Sequence, residues 1–262
     1  MNNDHSSVTS RPEWLAVVRS TTSVVLFLGI WEVVGRSALV PPLFFPAFST
    51  VVIQLARSVA DGSLLADLAL SLWRAGAGLA LAAIVGTGLG LLMARNRTVN
   101  WFFDPLVAVG FPAPKIAFLP IFILWFGIES LSKILLVAFA SIFPIVIGAY
   151  SAARNVNRVL IWSAASLGSK PGATFRHVVL PACYPRIFTT LRIAVPVALI
   201  TTFTAEMVGG GGGMGATLMY SQRFFDSPTV FAYILVMLAV GLFFESVVVR
   251  SQHRLFFWAM ES

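Results

Sequence analysis

The sequence has few charged side chains. Asp, Glu, Lys and Arg make up 11% of its 262 residues and hydrophobic residues make up 58%, whereas soluble globular domains carry about 25% charged residues. A soluble core cannot absorb that excess without leaving large apolar patches exposed. A lipid bilayer accommodates it, so the composition argues against a soluble enzyme and predicts an integral membrane protein.

Cysteine and histidine are also scarce. The single cysteine, Cys183, excludes an internal disulfide and a cysteine-based metal cluster. The three histidines are far apart in the sequence, so we expect neither a metal site nor the nucleophile–base pair of an intramembrane enzyme. No G-x-x-x-x-G-K-[ST] motif occurs, so we do not expect the chain itself to hydrolyse ATP.

Long apolar runs are the dominant pattern. A membrane-spanning helix needs about 20 mostly apolar residues. Six runs approach or exceed this length: Val17–Val34, Leu68–Met93, Phe102–Phe126, Leu131–Tyr150, Ile187–Val208 and Val230–Val249. We therefore predict one transmembrane domain over residues 17–250, between tails at 1–16 and 251–262. Gly86 and Gly90 in the second run form a G-x-x-x-G pair, which favours close helix packing, with a specific dimer seam as the alternative.

The net charge of +7 is compatible with nucleic-acid binding or with membrane topology. Six crossings place both termini on one side. That side carries Arg11, Arg19, Arg95, Arg97, Arg154, Arg158, Lys170, Arg176, Arg186, Arg192, Arg250 and Arg254. The other side carries only Arg36, Arg57, Lys133 and Arg223. The positive-inside rule therefore predicts cytoplasmic termini, and no soluble module remains to bind nucleic acid.

One cytoplasmic loop, residues 151–185, is longer than the others and has no acidic residue. Its pattern predicts two short helices around a break. The first contains Trp162–Leu167 and ends at Gly168, which is suited to a left-handed C-terminal cap. Ser169 then caps a second helix, which stops before Pro181.

This loop has two interpretations. A basic amphipathic segment can rest on anionic lipid headgroups. Alternatively, the loop docks a partner protein through a small-residue face, an aromatic anchor and two cations that pair with acids. The residues in these roles are Ala164, Ala165 and Gly168, then Phe175, and then Lys170 and Arg176.

The spacing of the loop resembles the EAA loop of ABC-importer permeases, which reads E-A-A-x-x-x-G, then nine residues, then I-x-L-P. Gly168 and Val178-x-Leu180-Pro181 keep that register without a gap. Trp162 stands where the family has its glutamate, and a tryptophan side chain carries no charge for a contact with the ATPase. The resemblance implies that the loop contacts an ATPase through Ser163, Ala164, Ala165, Gly168, Lys170, Phe175, Arg176, Leu180 and Pro181.

Other segments extend the resemblance over nearly the whole chain. Leu39–Pro46 looks like the extracytoplasmic segment after the first span of these permeases. Segments Pro112–Pro120, Ile123–Ile128, Ala205–Val208 and Arg223–Asp226 are similar to the nitrate/sulfonate/taurine subfamily. The implied fold is an all-α integral membrane bundle of the type I importer kind, with a cytoplasmic coupling helix.

The resemblance also implies partners and a substrate class. A second permease subunit, expected to be identical, pairs with this one in the bacterial inner membrane. Two cytoplasmic ATPase subunits bind ATP and Mg²⁺, and an extracytoplasmic binding protein delivers the substrate. The expected substrate is a small anion such as a sulfonate, taurine or nitrate, and a heterocyclic vitamin precursor is the alternative. A stand-alone secondary transporter is less compatible, because no pair of discontinuous helices flanks a shared mid-membrane acid.

Two intramembrane charges are candidates for the translocation pathway, because such charges usually face a bundle interior or a cavity. Lys115 lies beside Pro112 and Pro114, which break the helix, and a cation there suits an anionic substrate. The alternative is a lysine that binds backbone carbonyls or extends towards water. Glu206 lies near the extracytoplasmic end of the fifth run, where it either gates the cavity or pairs with Arg223.

Two further features are expected to be structural. Arg74 is predicted near a span end, within reach of water. The glycine run Gly209–Gly213 is predicted to be a flexible extracytoplasmic connector. Gly210-x-Gly212-x-x-Gly215 formally fits a dinucleotide-binding motif, but no strand-plus-helix unit surrounds it.

Overall fold

The structure, a computed structural model, describes residues 13–37 and 39–255, with side chains from residue 22 onward. These residues form helices and no strand. The α-helices are α1 Glu13–Arg36, α2 Phe48–Ala60, α3 Ser63–Arg95, α4 Arg97–Gly110, α5 Leu119–Phe126, α6 Ser130–Arg154, α7 Arg158–Ser166, α8 Pro171–Thr174, α9 Leu180–Gly209, α10 Met214–Arg223 and α11 Ser227–Leu255. A 3₁₀ turn, Lys115–Phe118, precedes α5, and a π-helical turn, Phe175–Val179, joins α8 to α9. Of the predicted tails, residues 1–12 and 256–262 lie outside the described residues.

Four helices of the described chain are long and apolar enough to cross a membrane, and a bent pair brings the number to five. The four are α3, α6, α11 and the continuous helix Pro171–Gly209. They contain the second, fourth, fifth and sixth predicted spans, and the bent pair contains the third. The first predicted span, Val17–Val34, falls in α1, which is not among these helices. Six crossings and cytoplasmic termini therefore stay predictions.

The third predicted span is not one straight helix. Helix α4 and the segment Lys115–Phe126 are bent by 99° at residues 111–114. Pro112 and Pro114 lie in this break, where each lacks the backbone N–H that a continuous helix would use. The prolines therefore turn the chain and place Lys115 at the bend.

Glycines permit the closest helix contact, in which α3 packs along α6. A Cβ atom at Gly78 would lie 2.7 Å from the carbonyl oxygen of Ile134, and one at Gly90 would lie 2.6 Å from that of Val146. At Gly86 it would lie 3.0 Å from a methyl carbon of Ile145. Without side chains the two backbones approach directly, which confirms the packing role expected for the glycines.

The long loop differs in part from its prediction. Helix α7 ends as expected before Gly168, which has a φ of +81°. The second helix, however, does not stop before Pro181 but continues to Gly209. Pro181 follows the π-helical turn, in the first turn of α9, where a missing N–H is tolerated. Lys170, not Ser169, is the N-cap of α8, and it makes no side-chain cap bond.

Candidate coupling surface and translocation pathway

The end of α7 is closed by backbone hydrogen bonds around a left-handed glycine. Gly168 N donates to Ala165 O at 2.9 Å, and Ser169 N donates to Ala164 O at 3.0 Å. A Cβ atom at Gly168 would meet nothing within 4 Å. The left-handed backbone conformation therefore favours glycine at position 168. Close packing within the chain does not require it, because the space beside its Cα atom is open.

Residues 158–181 form one largely exposed segment, and we call this segment the coupling surface. Four large apolar side chains of this segment are exposed, namely Val159, Leu160, Trp162 and Leu167, and Leu167 is 88% exposed. The predicted contact residues Ser163, Ala165, Gly168, Lys170, Arg176 and Pro181 are also exposed, and Ala164 and Leu180 are half-buried. An exposed apolar patch bordered by polar residues is typical of a protein or membrane contact.

Phe175 occupies a different position within the coupling surface. Its ring is half-buried, and the guanidinium of Arg95 lies 5.2 Å from the ring centroid. Arg95 is the last residue of α3, so this cation–π contact ties the coupling surface to α3. Phe175 therefore packs on its own chain with one face, which leaves less of it for a partner.

Lys115 lies in the bend between α4 and α5, together with the exposed Pro112 and Pro114. Its Nζ donates to the carbonyl oxygen of Phe111, as the alternative interpretation anticipated, and lies 5.5 Å from the Phe111 ring centroid and 5.4 Å from that of Phe143. A cavity of about 380 Å³ opens beside it, against α9. The cation thus faces a cavity but has no carboxylate partner among the described residues.

Glu206 is fully buried and pairs with Arg74, not with Arg223, which was one of its two predicted roles. Its Oε1 accepts from Arg74 Nη1 at 2.8 Å. Its Oε2 accepts from Ser71 Oγ at 2.7 Å and from Gly215 N at 3.1 Å. The pairing with Arg223 was wrong because α3 packs against α9 and brings Arg74 into the interior, where it is only 1% exposed, and the gating role stays a prediction. Arg74 is therefore not within reach of water at a span end.

The glycine run is ordered around the same guanidinium. Arg74 donates to the carbonyl oxygens of Gly211 and Gly212, at 2.7 Å each, and to Ser130 Oγ at 3.1 Å. Gly213 N donates to Asp67 Oδ1 at 3.3 Å. The prediction of a flexible connector is wrong because these bonds hold the backbone in place. The φ angles of Gly210 to Gly213 lie between +65° and +96°, a range that only glycine adopts readily.

Sequence reasoning missed the polar side chains that surround this pair. Asp67 accepts from Thr217 Oγ1 at 2.6 Å and from the Tyr233 hydroxyl at 2.9 Å, which ties α3 to α10 and α11. Lys133 on α6 is fully buried, and its Nζ donates to Ile128 O at 2.5 Å and Glu129 O at 3.3 Å. Opposite charges in separate apolar runs are the one sequence signal for such a cluster, since buried charges need partners.

Comparison with known proteins agrees with this geometry. Residues 86–257 match the family model described as binding-protein-dependent transport system inner membrane component. The chain belongs to this family. It is a multi-pass inner-membrane permease of the ABC-importer type, and it is not an enzyme: members of the family work with a separate ATPase and with a binding protein.

Individual relatives cover most of the permease. The taurine transport system permease protein TauC of Escherichia coli is 31% identical over 92% of this chain and 90% of its own length. The formylaminopyrimidine transport permease protein ThiX of Halalkalibacterium halodurans is 30% identical over 91% of this chain and 94% of its own length. The inward-facing MetNI methionine ABC transporter has a similar fold, with a TM-score of 0.65, 15% identity, and coverage of 73% of this chain and 95% of its own.

Proposed function

We propose that this permease imports a small anion, such as a sulfonate, taurine or nitrate, in a complex of two identical copies. Two cytoplasmic ATPase subunits bind ATP and Mg²⁺ and dock on the coupling surface of each copy. An extracytoplasmic binding protein delivers the substrate, and both termini of the permease lie in the cytoplasm. The permease moves between two packings of its helices when the ATPase subunits close on ATP.

The coupling surface carries this proposal. Its exposed apolar side chains and the left-handed Gly168 leave an open face on α7 that a partner protein can contact. Lys170 and Arg176 add exposed cations that acidic groups of a partner can pair with. Because Trp162 is exposed where the family has a glutamate, we expect the groove on the ATPase to be apolar at that point.

The substrate class rests on Lys115 and on the relatives. An intramembrane cation beside a cavity favours an anion, and taurine, the substrate in the name of one relative, carries a sulfonate. The relative named for formylaminopyrimidine supports the alternative, a heterocyclic vitamin precursor. Family membership argues against a stand-alone secondary transporter.

Reconstitution in proteoliposomes tests the proposal. We expect uptake of labelled taurine only when the permease, an ATPase subunit, ATP and a binding protein are all present. Uptake by the permease alone would overturn the proposal. A ligand screen on the binding protein, with sulfonates, nitrate and pyrimidines, decides between the two substrate classes.

A further inference from the structure

A second cavity, of about 460 Å³, lies between the end of α9, the glycine run and α10. We call it the mouth cavity, and its walls come from residues 206–211 and 216–223. It differs from the cavity beside Lys115, whose walls come from the bend and from the middle of α9. It lies at the end of the bundle that the charge pattern predicts to be extracytoplasmic.

The mouth cavity has an unpaired cation at its edge. Arg223 lines the cavity, is exposed, and forms no ion pair with any residue that the structure describes. Glu206 also lines the cavity, but both of its oxygens are occupied by Arg74, Ser71 and the Gly215 amide. The carboxylate of Glu206, one predicted partner of Arg223, is thus already paired with Arg74.

A buried cation lies behind the wall of the mouth cavity. Lys133 is fully buried and donates only to backbone carbonyls in the described part of the chain. A Cβ atom at Gly211, which lines the cavity, would lie 3.0 Å from Lys133 Nζ. Glu206 is paired with Arg74, whereas Lys133 forms no ion pair with any residue that the structure describes. The charge of Lys133 therefore adds to the attraction of Arg223 for an anion in the cavity.

The remaining walls supply a backbone donor and apolar area. The amide of Gly211, a residue that lines the cavity, donates no hydrogen bond to any group of the described residues. Met207, Val208 and Met219 line the rest of the cavity with apolar side chains. A polar edge and an apolar wall together fit an anion that carries a short apolar body.

We propose that the mouth cavity is a binding site for a small organic oxoanion with an aliphatic body, of the alkanesulfonate class. Arg223 and the Gly211 amide bind the anionic head, and Met207 and Met219 contact the aliphatic part. The site receives the substrate before it reaches the bend at Lys115. Its place in transport rests on the proposed function, whereas its ligand chemistry is tested on the permease alone.

Thiol labelling in membrane vesicles provides the test. Tyr220 lines the cavity and is 64% exposed, whereas the only native cysteine, Cys183, is fully buried. In the Tyr220→Cys variant, we expect millimolar butanesulfonate to slow maleimide labelling and butanol at the same concentration to leave the rate unchanged. Adding Arg223→Gln should raise the concentration for half-protection by about tenfold, because a charge-assisted hydrogen bond is lost. Adding Arg57→Gln, an exposed cation on α2, should leave protection unchanged.

The outcomes separate this site from the proposed function. Labelling that butanesulfonate does not slow, or that butanol slows equally, would overturn the site. Protection that persists unchanged with Arg223→Gln would overturn it as well. None of these results depends on an ATPase subunit or a binding protein, so the site can fail while ATP-driven uptake is still observed, and the reverse also holds.

Discussion

The guanidinium of Arg74 and the carboxylate of Glu206 form a buried ion pair between two helices, with 2.8 Å between Nη1 and Oε1. The residues are 132 positions apart, and their side chains are 1% and 0% exposed. Two serines and the backbone of the glycine run satisfy their remaining hydrogen bonds. The pair thus joins α3, α9 and the chain between α9 and α10 at one point.

Removing one partner of this pair should destabilise the permease. Glu206→Gln leaves the Arg74 charge buried without a counter-ion, and we expect the free energy of unfolding to fall by about 3–5 kcal/mol. Thermal unfolding of the purified protein in detergent measures the change. Glu245→Gln is the matched control, because the Arg192–Glu245 pair has the same 2.8 Å distance but side-chain exposures of 55% and 37%. The control should cost less than about 1 kcal/mol, and equal losses in the two variants would contradict the argument.

Gly213→Ala should disturb the same cluster from the glycine run. A Cβ atom there would lie 2.3 Å from Glu206 Oε1, and the φ angle of +96° disfavours any side chain. We expect a loss of about 2 kcal/mol or more in the free energy of unfolding. Gly241→Ala is the control, because a Cβ atom there meets nothing within 4 Å and its helical position favours alanine. Similar melting temperatures for both variants would show that the run tolerates side chains.

Gly168→Asp should prevent ATPase subunits from co-purifying with the permease while membrane insertion stays normal. The substitution adds a side chain and a negative charge to the exposed face at the end of α7. Gly127→Asp is a matched control, because Gly127 has a φ of +82° and equal open space but lies outside the coupling surface. We expect the control to retain the ATPase. Unchanged co-purification with Gly168→Asp would count against docking at this surface.

Lys115→Ala should impair ATP-driven uptake while the complex still assembles. The substitution removes the cation that faces the cavity at the bend, and with it the attraction for an anionic substrate. Lys115→Arg keeps the charge and should preserve much of the uptake. Initial uptake rates and the ATPase content of the purified complex are measured together. Normal uptake by Lys115→Ala would remove this residue from the pathway.

Much of the fold was predictable from local patterns. Apolar runs located the spans because a bilayer requires a minimum apolar length, and Gly168 was correctly placed after the end of the first helix of the long loop. The prolines at 112 and 114 signalled a break but not its angle, since the direction of the chain after it depends on packing against α6 and α9. The prediction that the second helix stops before Pro181 was wrong because the π-helical turn before this proline accommodates a residue without a backbone N–H.

The composition and the apolar runs determined by themselves that this chain is an integral membrane protein, and the spacing of the motif around Gly168 and Pro181 pointed to the permease family. These properties follow from transfer into lipid and from local helix geometry, which depend on neighbouring residues. Only the tertiary structure decided that Glu206 pairs with Arg74, that Lys133 is buried behind the glycine run and that Arg223 forms no ion pair within residues 13–37 and 39–255. Such contacts join residues far apart in the chain, and the packing of α3, α6 and α9 selects them from several pairings of opposite charge that the sequence allows.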